Sequence, residues 1–151
     1  MIDGVGSIQC RLVYRSVATE EVISNEGLHD LAETSDANNR KSGITGLLIY
    51  TGREFLGVLE GPERAVNALF QKVCRDRRHK LIRLIVFELA GQTYFDDWDM
   101  RLIDLFDLPG ERRKLFLDKY PHEDGMVRIP DRLHEVYSLL LDAKTVGRRE
   151  I

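Results

Sequence analysis

Two short apolar runs split by a tight polar turn constrain this chain more than any other feature. Residues 44–50 read Ile-Thr-Gly-Leu-Leu-Ile-Tyr, residues 55–60 read Phe-Leu-Gly-Val-Leu-Glu, and Thr51-Gly52-Arg53-Glu54 lies between them. β-Branched and aromatic runs of this length around a glycine turn form a β-hairpin. A hairpin alone is marginal in water and needs further strands or helices on its faces. The flanking sequence supplies both. Ile8, Cys10, Leu12 and Tyr14 alternate with Gln9, Arg11, Val13 and Arg15, the period-two pattern of a strand, with Tyr14 toward its end. Over residues 24–39, Leu28, Leu31 and Ala32 fall at helical spacing. Gly61-Pro62 opens a second helix, with proline where its missing N–H does no harm, and Val66, Leu69, Phe70 and Val73 form its apolar stripe. Residues 81–89 are rich in Ile, Val and Leu and predict a buried strand, and residues 98–103 a last short one.

That order predicts an α+β fold, a ferredoxin-like βαββαββ sheet with two helices on one face. The composition shifts after Asp107, so residues 1–107 read as one domain and 108–151 as a helical C-terminal extension. Pro109-Gly110 and residues 121–130 read as linkers around a short helix over 111–120. Residues 131–144 carry Leu133, Val136, Tyr137, Leu140 and Leu141 in an amphipathic helix. It either docks on the open sheet face or binds a partner.

The chain of 151 residues is long enough for one self-sufficient core. Two cysteines are too few for a disulfide framework, which with the absence of a signal-peptide pattern predicts a cytoplasmic protein. No apolar stretch approaches a membrane span, and a net charge of −3 argues against sequence-blind nucleic-acid binding. His29, His79, His122 and His134 lack metal-ligand spacing, and there is no phosphate-cradling glycine loop or nucleophile elbow.

Four features are candidates for a site. Asn39 falls within about 20° of Leu28 around the first predicted helix, on its sheet-facing stripe. Asn38-Asn39 either caps that helix or reads a planar heterocycle bearing carbonyl and N–H groups. Tyr14 shares a strand face with Leu12 and Cys10, either as a core tyrosine or as a site residue. Trp98 and Met100 share a face of the last strand, and Asp76-Arg77-Arg78-His79 is a charged helix terminus.

In order along the chain stand Leu12-Val13-Tyr14-Arg15-Ser16, Asn38-Asn39 before Gly43-Ile44-Thr45-Gly46-Leu47-Leu48, Phe55 through Leu59-Glu60-Gly61-Pro62, Asp76-Arg77-Arg78-His79, and Phe95 through Trp98-Asp99-Met100. Over residues 8–105 this closely resembles the BLUF family, blue-light sensors using FAD. The resemblance implies a non-enzymatic, FAD-binding photoreceptor domain whose ring lies between two helices. By motif, Tyr14 matches the photoactive tyrosine, Asn39 the asparagine on the ring's carbonyl and N–H edge, and Asn38 its neighbour. Lys72 matches a basic position on the second helix, Asp76 one near the ribityl chain, and His79 one near the adenosine. Trp98 and Met100 match the family's signalling strand.

One position departs. The family pattern Phe-x-Gln-x-Leu-Glu-Gly carries a glutamine that bridges tyrosine and flavin, and Gly57 stands there, on the face of Phe55 and Leu59. Gln71 and Gln92 do not replace it, and a water-sized cavity beside Tyr14 is one expected consequence. The photocycle is therefore expected to be altered or lost. Signalling would pass to an unknown protein partner, with self-association, and without nucleic acid or membrane. The alternative is a flavin-free interaction module on the same fold.

Overall fold

A computed structural model describes residues 8–20, 43–95 and 101–149. The first predicted helix and residues 96–100 lie outside the described residues. In chain order the elements are β1 (Gln9–Ala18), β2 (Thr45–Tyr50), β3 (Glu54–Pro62), α1 (Glu63–Arg75), β4 (His79–Leu89), β5 (Arg101–Asp104), a 3-10 turn (Leu105–Asp107), α2 (Gly110–Lys119), β6 (His122–Glu123), β7 (Met126–Val127) and α3 (Leu133–Arg149).

The predicted hairpin forms with β2 antiparallel to β3. Its turn is held by the Thr51 hydroxyl, which accepts from the backbone N–H of Glu54 at 3.0 Å, while Gly52 takes φ +105°. β3 then pairs antiparallel with β1, and β1 with β4. The order β4-β1-β3-β2-β5 is the ferredoxin-like arrangement with one added strand, β5, parallel to β2.

Period two sorts the sheet residues into two cores. Cys10, Leu12, Tyr14, Leu48, Phe55 and Leu59 join Val66 of α1 on one face. Val13, Leu47, Ile49, Leu56 and Val58 join Val136, Leu139, Leu140, Ala143 and Val146 of α3 on the other. Full burial of each such leucine or valine contributes about 1.5–3 kcal/mol relative to exposure.

Five expectations need correction. The 81–89 run is an edge strand with β1 as its one partner in the sheet, leaving Leu81 and Leu89 each 72% exposed. Its apolar composition does not encode its place in the strand order. Gly61-Pro62 ends β3 as well as leading into the helix, because Gly61 still pairs with Cys10 and Pro62 with Gln9. Pro62 is the N-cap, in an extended conformation. The 121–130 segment contains the β6–β7 hairpin, turned by Asp124 and Gly125 at positive φ. The last helix runs on to Arg149 and buries Leu139, while Leu133 and Leu141 are exposed. Tyr14 lies in mid-strand, since β1 continues to Ala18.

Candidate functional site

The pleat of β1 aims Tyr14 at the face covered by α1, and the ladder sets it directly opposite Gly57 of β3. A Cβ built on Gly57 would lie 2.5 Å from Tyr14 Cε1, 2.6 Å from Cζ and 2.8 Å from the hydroxyl. The phenol ring therefore rests on the glycine backbone. The space that a Cβ at 57 would take is occupied by the ring itself.

Around that ring stand Phe70 of α1, with centroids 5.7 Å apart, and His79 of β4, at 6.2 Å and edge-on. His79 Nε2 bonds the Val73 carbonyl, so that nitrogen carries the proton; Nδ1 lies 2.7 Å from Ser16 Oγ and, in the neutral ring, accepts the serine proton. Burial raises the Tyr14 phenol well above its ordinary pKa, and the negative charge of Asp76 adds to the effect. No described residue bonds the Tyr14 hydroxyl.

Asp76 caps the C-terminus of α1 in an extended conformation. Its carboxylate accepts from Arg78 Nε at 2.9 Å and from the Arg78 backbone N–H at 2.9 Å. Burial would raise its pKa, but the Arg78 bonds and charge outweigh burial and hold it below the usual range. Lys72 is exposed on α1. The structure thus brings Tyr14, Gly57 and His79 together with Asp76 nearby, and leaves Lys72 toward solvent. Asn38, Asn39, Trp98 and Met100 lie outside the described residues.

Sequence reasoning missed a charged cluster on the opposite face. Arg11 Nη1 donates to Glu60 Oε2 at 2.7 Å, and Arg11 Nη2 to Glu88 Oε1 at 3.1 Å. Its Nε donates to the Tyr137 hydroxyl of α3 at 3.0 Å, and Nη1 also to the Gln92 carbonyl at 3.0 Å. Glu60 in turn accepts the backbone N–H of Phe95 at 2.6 Å and of Tyr94 at 3.1 Å. The available signal was a pair of charges in otherwise apolar strands, Arg11 and Glu60.

Among the described residues no three metal-ligating side chains converge, and no helix is long and apolar enough to cross a membrane. Fold and site together define a ferredoxin-like α+β domain whose α1-covered face buries Tyr14 against Gly57, Phe70 and His79. The chain belongs to the BLUF family, sensors of blue-light using FAD, whose model matches residues 10–101.

It is 30% identical over 95 residues to the blue light- and temperature-regulated antirepressor BluF of Escherichia coli (strain K12), covering 62% of this chain and 23% of that protein. It is 35% identical over 95 residues to the photoactivated adenylate cyclase subunit alpha-like protein FB of Euglena gracilis, covering 60% of this chain and 9% of that one. The matched part is thus under a quarter of these relatives' length. The dark state structure of BlrB, a BLUF protein, superimposes with TM-score 0.67 at 25% identity, over 93% of this chain and 98% of that one. The photo-activated state of BlsA is alike in fold, with TM-score 0.70 at 22% identity over 89% and 93% of the two chains.

FAD is the family's chromophore. The described residues fit such a group. Only Val66 of α1 is fully buried, and the inward Leu69, Phe70 and Val73 are half covered, an apolar surface suited to a flat ring. The Tyr14 hydroxyl beside them, which no described residue bonds, suits a polar ring edge.

Proposed function

We propose that this chain is an FAD-dependent blue-light sensor domain whose light response is altered or lost at Gly57. The observation that carries the reading is the direct opposition of Tyr14 and Gly57, with the ring lying on the glycine. Bound FAD supplies blue-light absorption and an electron acceptor. Tyr14 is the photoactive donor; its phenol is protonated at neutral pH like any tyrosine, and burial raises its pKa further. Glycine carries no amide at 57, so no hydrogen bond can be relocated through that position. Asn38 and Asn39 bind the polar ring edge, and Asp76, His79 and Lys72 line the ribityl and adenosine side. The Arg78 bonds to Asp76 make that carboxylate a positioning group.

Residues 1–107 form the flavin-binding part and 108–151 the helical extension, with Trp98 and Met100 on the strand that carries the signal. The output passes to a protein partner in the cytoplasm, with homo-oligomer contacts, and this chain itself catalyses no reaction. Relatives named as an antirepressor and as a photoactivated cyclase support the view that such domains act on something else.

The test is the absorption spectrum of the purified protein in the dark and under blue light. A flavin spectrum with no reversible red shift is the expected result. A normal reversible shift would overturn the assignment of Gly57. Protein that stays colourless after incubation with FAD would establish the flavin-free interaction module instead.

A further inference from the structure

We propose that residue 57 sets the pose of Tyr14: glycine there gives the phenol a seat on the β3 backbone that any side chain would deny it. The inference rests on the functional reading above only for its consequence in light sensing. Three observations carry the geometry. A Cβ at 57 would approach the ring to 2.5 Å, closer than real Cβ contacts come. The ring cannot simply back away, because Phe70 and His79 stand on its other sides. His79 is itself pinned by Ser16 and the Val73 carbonyl. Even alanine at 57 therefore forces the ring out of this pose, by rotation of the tyrosine or by Phe70 and His79 giving way.

The hydroxyl would lie 2.8 Å from that Cβ, where any side chain at 57 would begin. Tyr14 thus stands in the place of the missing amide, and the phenol itself becomes the donor that this part of the face presents to a carbonyl or ring-nitrogen acceptor. A glutamine at 57 and this pose of Tyr14 exclude one another. Restoring glutamine alone does not insert a bridge beside an unmoved tyrosine.

The experiment uses the full chain with ring-labelled tyrosine. In the unsubstituted protein, NMR should show cross-relaxation between the Tyr14 ring protons and the Gly57 α-protons. In a folded Gly57→Ala, the cross-relaxation between the Tyr14 ring protons, assigned by their loss in Tyr14→Phe, and the residue-57 α-proton should fall at least several-fold, because the new Cβ takes the space the ring occupies. Missing cross-relaxation in the unsubstituted protein, or undiminished cross-relaxation in a folded Gly57→Ala, overturns the proposal. Should Gly57→Ala fail to fold, the cross-relaxation in the unsubstituted chain decides. A flavin-free protein with the cross-relaxation intact would support the seat while refuting the light-sensing reading.

Discussion

Arg11 and Glu60 have side chains only 7% and 1% exposed, so their charges survive inside because donors and acceptors around them are matched. Glu60→Ala takes from the guanidinium its fully buried carboxylate, leaving the half-exposed Glu88, and frees the Tyr94 and Phe95 N–H groups. It should cost about 3–5 kcal/mol in urea unfolding. Tyr137 belongs to the same cluster. Burial and its bond to Glu88, partly opposed by Arg11, push its phenol up to about 12. The folded chain then holds a proton that the unfolded chain releases near pH ~10. Stability from this group is complete below the unfolded value and falls as pH rises toward the folded one. Burial raises Tyr14, Tyr50 and Tyr120 too, so they add slopes of the same sign. Tyr137→Phe should flatten, without abolishing, the decline in urea midpoint between about pH 10 and 12.

β4 is the element where composition and position part company. Hydrophobic runs report a tendency to be strand, while strand order is decided by which segments find partners. Four large side chains, Leu81, Leu84, Phe87 and Leu89, are left substantially exposed along this edge. Leu89→Lys should change unfolding free energy by no more than about 0.5 kcal/mol, and light scattering should show less self-association. Leu139→Ala on α3, by contrast, should cost about 2–5 kcal/mol in the same unfolding assay. The hairpin was legible because turn and alternation are local. The end of β3 was not, since the Cys10 and Gln9 partners that keep Gly61 and Pro62 in the sheet lie some fifty residues away in sequence.

At the scale of the molecule, α3 closes the second core over the sheet face opposite Tyr14. Leu140 is fully buried and Leu141 is 38% exposed, so the two leucines separate packing from association. Leu140→Asp should lower stability by at least about 2–5 kcal/mol. Leu141→Asp should leave the unfolding midpoint nearly unchanged, and any effect should show in the sedimentation of the native chain. Of the site, strand period alone put Tyr14 on the face of Leu12 and Cys10 and Gly57 on that of Phe55 and Leu59, while the β1–β3 register makes the two faces one. The commitment of Asp76 to Arg78 could not be read in this way, because it depends on how the chain turns between α1 and β4. Nor could the Arg11 cluster, which requires knowing that β1 lies between β3 and β4. The ladder that sets Tyr14 against Gly57 also sets Arg11 against Glu60, three rungs along and on the reverse side. Slide β1 by a single rung and the tyrosine meets a valine or leucine while the guanidinium loses its carboxylate. Neither contact can drift without dragging the other, so selection for the charged knot also guards the alignment of the aromatic seat.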